Sequence, residues 1–157
     1  MTFVVRDMRK DDVDACLAII NPIIAKGGST AYEDPYKAAD FEAHYLQEAK
    51  IANIVTLDGR VVGFQSAFEV ETGVYSIGSF TDQENPAKGA GRAIIQKTIA
   101  DARALGGTAI LAKITSDNTG GLAYYSSVGF EDFTVVPNDH TRKNGMTVDR
   151  IIKRYLL

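Results

Sequence analysis

Val74-Tyr75-Ser76-Ile77-Gly78-Ser79-Phe80-Thr81, then Pro86-Ala87-Lys88-Gly89-Ala90-Gly91-Arg92, then Ile94, Ile95, Thr98, Ile99, Ala102 and Leu105, form the run on which the fold turns. The first segment alternates as a strand does. The last sets apolar side chains three and four residues apart, which places them on one face of a helix from Ala90 to Leu105, and Gly106-Gly107 supplies its stop. Thr108 to Ile114 then reads as a buried strand. Strand, glycine-bearing loop, helix and strand in that order make a crossover unit.

Upstream of this unit, Phe3-Val4-Val5-Arg6 reads as a short strand, and Val13, Cys16, Leu17 and Ile20 mark an amphipathic helix ending near Lys26-Gly27-Gly28. Ser29 to Pro35 is a loop, and Lys37 to Lys50, with Phe41, Tyr45 and Leu46 on one side, a second helix. Ile51 to Leu57 and Arg60 to Phe64 are β-rich runs joined by Asp58-Gly59, which predicts a hairpin; Glu69 to Gly73 is a further turn region. Downstream, Asn118 to Val128 is helical and closed by Gly129, and Phe130 to Val136 and Met146 to Tyr155 are two final strands. The order β-α-α-β-β-β-α-β-α-β-β predicts helices covering a mixed sheet, antiparallel in its first half and built on crossover helices thereafter.

Composition narrows the function classes. A chain of 157 residues is one domain's worth and is long enough for a real core. Seventeen Lys and Arg against 20 Asp and Glu, a net charge of -3, argue against a protein that coats nucleic acid. No apolar run reaches the ~18–20 residues that span a bilayer, and the first residues lack the features of a signal peptide, so a cytoplasmic protein is expected. Cys16 stands alone, and His44 and His140 lie outside any metal-binding motif, so no metal site is expected.

The run from Pro86 to Arg92 lies where glycines let an anion approach the orphan N–H groups of a helix start, with Lys88 and Arg92 adding charge. A P-loop needs Gly-Lys-Ser/Thr, and Gly91 is followed by Arg92-Ala93. A dinucleotide fingerprint needs a small residue where Ile94 stands. Both readings fail, and a plain strand-to-helix turn remains open beside an anion site.

These residues resemble the GNAT superfamily of N-acetyltransferases, whose Arg/Gln-x-x-Gly-x-Gly/Ala motif cradles the pyrophosphate of coenzyme A. Gly89 and Gly91 fit its glycine places and Lys88 a commonly basic one; Pro86 stands at the Arg/Gln place and lacks both a side-chain donor and an N–H. Lys88 or Arg92 can replace the missing contact. Asn118, followed seven residues on by Tyr125 and then by Gly129-Phe130, resembles a second motif of the same superfamily, and the likeness spans the chain. Ile19 to Ile24 and Thr30 to Tyr36 are similar to the phosphinothricin and L-amino-acid N-acyltransferase branch.

The resemblance implies an α/β (mixed α+β) fold, a central mixed sheet of about seven strands flanked by about four helices, in a single domain over residues 1–157. It implies direct transfer of acetyl from acetyl-CoA to a small-molecule primary amine, an amino acid or analogue, by a homodimer with no metal, nucleic acid or membrane partner. Coenzyme binding falls to Lys88, Gly89, Ala90, Gly91 and Arg92, with Asn118 near the thioester. A β-bulge near the glycine loop would offer the N–H groups of Phe80 and Thr81 to the pantetheine arm.

A thiolate leaving group, with a thiol titrating near ~8.5, can be protonated by a phenol near ~10, which makes Tyr125 the expected acid and Tyr124 the fallback. Asn118 can bind pantetheine or water, cap its helix, or do both. Glu33 is the expected base because its loop walls the acceptor pocket in the resembled branch; Glu69 and Glu71 also qualify, and His140 does by type. Arg142, Lys143, Arg150, Lys153 and Arg154 read as the polar face of a strand, with some free to meet a substrate carboxylate or the coenzyme's ribose phosphate. Two other readings stay open: an acyl-CoA sensor with little turnover, and acetylation of a protein or peptide.

Overall fold

The Asp58-Gly59 dipeptide adopts left-handed backbone at both residues, φ 49° and 85°, as a two-residue hairpin turn demands. It folds β2 (Ile51–Leu57) against β3 (Arg60–Glu71), as the sequence predicts. The computed structural model describes residues 2–157. Its other elements are β1 (Phe3–Asp7), a 3-10 turn (Lys10–Asp12), α1 (Val13–Lys26) and α2 (Ala38–Phe41), the last running on as π-helical turns over Glu42–Glu48. Then come β4 (Val74–Thr81), α3 (Ala90–Ala104), β5 (Ala109–Thr115), α4 (Thr119–Ser127), β6 (Glu131–Thr141) and β7 (Thr147–Leu156).

The seven strands form one sheet in the order β1-β2-β3-β4-β5-β7-β6. The β4–β5 pair is parallel and the other neighbours are antiparallel, because α3 carries the chain back across the sheet between them. Alternation along the strands divides the core. Ile54 and Phe64 turn toward α1 and α2, where they meet Cys16, Ile20, Phe41 and Tyr45. Tyr75, Ile77, Ile110 and Ala112 turn the other way, onto Ile95, Ile99 and Ala102 of α3 and Tyr125 of α4. Each fully buried Ile or Phe contributes about 1.5–3 kcal/mol. This mixed α/β arrangement of seven strands and four helices is the expected fold.

Three elements are longer or different from their sequence reading. β3 runs past Phe64 to Glu71, and its central burial on both faces hides the alternation that would have marked it. β6 reaches Thr141, although Asn138 at φ 52° and the register shift between Val136 and His140 give it the look of a turn. The second helix opens into π turns after Phe41, which residue periodicity does not reveal. Among the described residues no helix is long and apolar enough to cross a membrane.

Candidate active site

β4 and β5 pair only from Val74 with Ala109 to Ile77 with Ala112. Beyond that point β4 stays on β3 as far as Thr81, and β5 stays on β7 as far as Thr115, so the two parallel strands part like a wedge. Asp82 N–H donates to Val62 C=O at 2.9 Å, and Gly73 C=O accepts from Thr108 N–H at 2.7 Å. Since backbone direction alternates along a strand, even-numbered residues of β4 bond to β3, and Ser79 and Thr81 turn their N–H groups into the opening. Phe80 therefore gives its N–H to β3, which departs from the donor pair expected at Phe80 and Thr81. The irregularity near the glycine loop is not on β4: the β3–β4 register is unbroken from Gly63–Thr81 to Glu69–Tyr75, and the shift lies between β2 and β3, where Val62 is passed over between Val55–Gly63 and Thr56–Val61.

The wedge opens into a cavity of about 1250 Å³ that crosses the sheet. Ser76, Gly78 and Phe80 face α1 and α2, where Tyr45 lies over Gly78 and Phe80. Ile77 faces α3 and α4. The α1 side of the cavity is walled by Ser29, Thr30, Tyr32, His44, Phe68 and Lys113, and the other side by Gly120, Gly121 and Tyr125.

The glycine loop lies just beyond the cavity, which reaches Thr81, Gln83 and Glu84 but not Lys88, Gly89, Ala90, Gly91 or Arg92. Gly89 sits at φ 95°, a left-handed conformation at the start of α3. Gly91 is required for a reason the motif does not suggest: a Cβ there would stand 2.7 Å from Cε1 of Tyr124. Ala90 is buried against Val55, Val62 and Ile94 and shapes the core, whereas Lys88 and Arg92 are exposed. The N–H groups of Gly91 and Arg92 belong to the first turn of α3, whose donors have no partner within the helix. Arg60 secures the loop through Asp82 (2.9 Å) and the Asn85 carbonyl (3.3 Å).

Tyr124 and Tyr125 are adjacent on α4 and do different things. The Tyr124 hydroxyl donates to the Gly91 carbonyl (2.8 Å) and accepts from Gln65 Nε2 (2.9 Å). Burial pushes its phenol up to about 12. Tyr125 is buried against Ile77, Ile95 and Phe130 yet lines the cavity, and burial raises its phenol far above the ordinary range, with the Ser79 hydroxyl partly offsetting the rise. It is thus a neutral phenol that faces the wedge. Asn118 caps α4, accepting from Gly121 N–H at 2.9 Å, while its Nδ2 donates to the Ser29 carbonyl at 2.6 Å. It therefore ties the cavity's front wall to α4.

Glu33 does not line the cavity. Its carboxylate accepts from the Lys143 N–H at 2.8 Å and lies 3.6 Å from Arg142 Nη1 and 3.7 Å from His140 Nε2, so it binds the α1–α2 loop to the β6–β7 hairpin. The sequence places Glu33 in the right loop but cannot show which way the loop turns it. His140 is likewise outside the cavity, and its Nε2 is buried without a hydrogen bond. Glu69 borders the cavity with its carboxylate accepting from Gly73 N–H at 3.2 Å; Glu71 does not reach it.

Four residues to which the sequence reading gave no role in the reaction, Tyr32, His44, Glu48 and Phe68, stand together on the α1 side. His44 lies flat on Phe68 (ring centroids 4.5 Å, 18°), with Nδ1 3.2 Å from Glu48 Oε2 and Nε2 3.2 Å from the Tyr32 hydroxyl. All of them line the cavity. The signal was present as His44 and Glu48 four apart on one expected helix, but such pairs usually decorate a solvated face. Lys113 shares this chamber, with Ala112 and Ile114 on either side turned into the opposite core, and it makes no ion pair among the described residues.

The wedge between the parallel strands, with Ser79 and Thr81 turned into it and the buried phenol of Tyr125 facing it, is the candidate site. The chain matches the model of the Acetyltransferase (GNAT) family over residues 20–130 and belongs to that family of acetyltransferases. In fold it is similar to yncA of Salmonella typhimurium, solved with its cofactor acetyl-CoA, at a TM-score of 0.86 and 20% identity over 100% of this chain and 95% of that one. A GNAT superfamily phosphinothricin acetyltransferase from Sinorhizobium meliloti in complex with acetyl-CoA gives 0.88 and 19%, covering 100% and 89%. The ribosomal-protein-alanine N-acetyltransferase of Brucella melitensis gives 0.85 and 21%, covering 98% and 99%. No curated protein matches the chain. The last two neighbours are named for different acceptors, so likeness of fold leaves the acceptor to be argued from the chamber itself.

Proposed function

We propose that the protein moves the acetyl group of acetyl-CoA to the primary amine of a small molecule, an amino acid or close analogue. Acetyl-CoA supplies an acyl group already activated as a thioester. The wedge suits its amide-bearing pantetheine arm, because the N–H groups of Ser79 and Thr81 are strand-edge donors awaiting a partner. The start of α3, with Lys88 and Arg92, suits its pyrophosphate.

The base role passes from Glu33, which is spent on the hairpin, to His44. Glu48 at Nδ1 orients the ring and leaves Nε2, shared with the Tyr32 hydroxyl, to receive a proton from the acceptor ammonium. The freed nitrogen attacks the thioester carbon, a C–N bond forms, the C–S bond breaks, and Tyr125 gives its phenolic proton to sulfur. Two protons leave the nitrogen: the first goes through His44 to solvent, and the second, lost as the amide forms, replaces by way of solvent the one Tyr125 gave to sulfur, so ammonium and thioester become amide, thiol and one released proton. Lys113 is the cation available for an acceptor's carboxylate.

One observation carries this reading: of the two adjacent phenols, Tyr124 has its hydroxyl engaged by both the Gly91 carbonyl and Gln65, while Tyr125 faces the wedge. The same reading takes the chain as one cytoplasmic domain acting as a homodimer; exposed Phe133 and Val135 on edge strand β6 support a second copy there. Thiol release from acetyl-CoA over a panel of free amino acids, simple amines, polyamines and peptides tests the assignment. Release with amino acids is expected; release with peptides alone would overturn the acceptor, and binding without release to any amine would favour a sensor.

A further inference from the structure

Eight of the fourteen glycines hold backbone at positive φ, and four others, Gly63, Gly91, Gly107 and Gly121, would bring a Cβ to 3.1 Å or closer to a neighbouring atom. Gly78 and Gly120 meet neither condition, and both line the cavity. Gly120 is exposed in the first turn of α4. Gly78 lies inside β4, paired with Ser66 of β3, where a glycine weakens a strand because it brings no side chain to pack and has more backbone freedom to lose. A Cβ on Gly78 would find only Tyr45 Cε1 at 3.6 Å and Phe80 Cε2 at 3.7 Å within 4 Å among the described residues, and both are ordinary contacts. Neither backbone nor packing calls for glycine here; what it provides is space in the cavity.

That space lies on the α1 side of the wedge, bounded by Tyr45 and Phe80. The parallel register, Ile77 with Ala112, carried on by one residue sets Gly78 level with Lys113. Lys113 turns the same way, since Ala112 and Ile114 on either side of it belong to the opposite core. Gly78 also stands between Ile77, where the two strands are last paired, and Ser79, whose N–H turns into the opening. With acetyl-CoA bound as proposed above, an arm that runs from the start of α3 past Thr81 and Ser79 brings its thioester to this point. An amine coming from the α1 side then reaches the thioester over the bare backbone of Gly78.

We propose that Gly78 is a specificity-determining residue for the acceptor: the room left by its missing side chain, level with Lys113, takes the α-carbon of an amino acid, which bears a carboxylate and a side chain beside the amine. An unbranched amine presents only a CH2 next to nitrogen and does not need that room. A methyl at this position would compete with the α-carbon for it, and one carbon too many in a fitted pocket costs about tenfold. The coenzyme arm is not displaced, because it lies along the strand edge in the plane of the sheet while a side chain stands perpendicular to that plane. Tyr125 is on the opposite face.

The inference rests on transfer to an amino acid in this wedge, and the measurements keep the two apart. In Gly78→Ala, kcat/KM for the preferred amino acid is expected to fall about tenfold through KM, and further in Gly78→Val, while the matching amine without the α-carboxylate changes by less than about twofold. Acetyl-CoA affinity by calorimetry should stay at the parent value. The melting temperature of Gly78→Ala should not fall, because alanine suits a strand interior better than glycine, whereas Gly63→Ala, crowded at 3.1 Å by the Phe80 carbonyl and Val55, should melt lower. An unchanged KM for the amino acid in Gly78→Ala, an equal change for both acceptors, or a lowered melting temperature would overturn the role of Gly78 and leave the transfer reading in place. A fall in coenzyme affinity would give the space to the donor and overturn it likewise. A parent protein that binds acetyl-CoA but releases thiol with no amino acid would overturn both.

Discussion

Arg142 holds Asp117 by two parallel bonds, Nε to Oδ2 at 2.9 Å and Nη2 to Oδ1 at 2.8 Å. The same guanidinium donates to the Thr30 carbonyl at 2.6 Å and to Thr115 Oγ1 at 3.0 Å. One nearly buried side chain of the β6–β7 turn thus joins the end of β5, the approach to α4 and the loop that walls the cavity. Bidentate arginine bonds of this kind are directional as well as strong, so the wall's position is set from the hairpin.

That bond makes part of the stability acid-sensitive. Hydrogen bonds from Arg142 hold the Asp117 carboxyl below the usual carboxylate range. A carboxyl with a lower pKa folded than unfolded adds stability that is fully present above its unfolded value, near ~3.9, and disappears as pH falls through the folded value. Denaturant midpoints followed downward from pH 5 should fall less steeply in Asp117→Asn than in the parent protein, the variant being the less stable of the two at neutral pH. Equal slopes would contradict the assignment.

Gly91→Ala is expected to destabilise the fold by about 1–3 kcal/mol, because the new methyl meets a Tyr124 ring pinned at its hydroxyl. Gly120→Ala, whose Cβ would find its nearest neighbour at 4.0 Å, is the comparison and should melt close to the parent. Identical melting temperatures for both variants would show that Tyr124 yields.

His44→Ala should lower kcat about a hundredfold with acetyl-CoA affinity retained, and added imidazole should restore part of it. Glu48→Gln removes the charge that orients the ring and should cost less. If kcat survives His44→Ala, the base lies elsewhere.

Lys113→Met should raise KM about tenfold for an acceptor that carries a carboxylate and leave a simple amine unaffected, a difference worth about 1.4 kcal/mol. An equal change for both acceptors would mean that Lys113 does not read the carboxylate.

Much of the architecture was legible in the residues because each signal was local. The left-handed Asp58-Gly59 turn, the apolar ladder from Ile94 to Ala102 and the order of elements carry over into the structure, while Leu105 falls just past the end of α3 and is exposed. Asn118 and Tyr125 also reach the cavity, being fixed on one short helix. What the sequence could not carry is direction. Glu33 lies in the expected loop but is turned outward by Lys143 and Arg142, partners more than a hundred residues away. Phe80 sits on the expected strand with its N–H on the wrong edge, a parity set by the β3 register. Gln65 lies just past the run that reads as a strand and Ser79 reads as an ordinary strand residue, and the two meet only where β3, β4 and α4 come together.

We propose that transfer takes place in the β4–β5 wedge with Tyr125 as the acid. Measuring kcat and, on the same sample, acetyl-CoA affinity by calorimetry for Tyr125→Phe tests it most directly. A fall in kcat of about a hundredfold or more with affinity unchanged is expected, beside Tyr124→Phe, whose loss falls on melting temperature. A Tyr125→Phe enzyme that turns over at the parent rate, or one whose turnover falls only in step with coenzyme affinity, would contradict it.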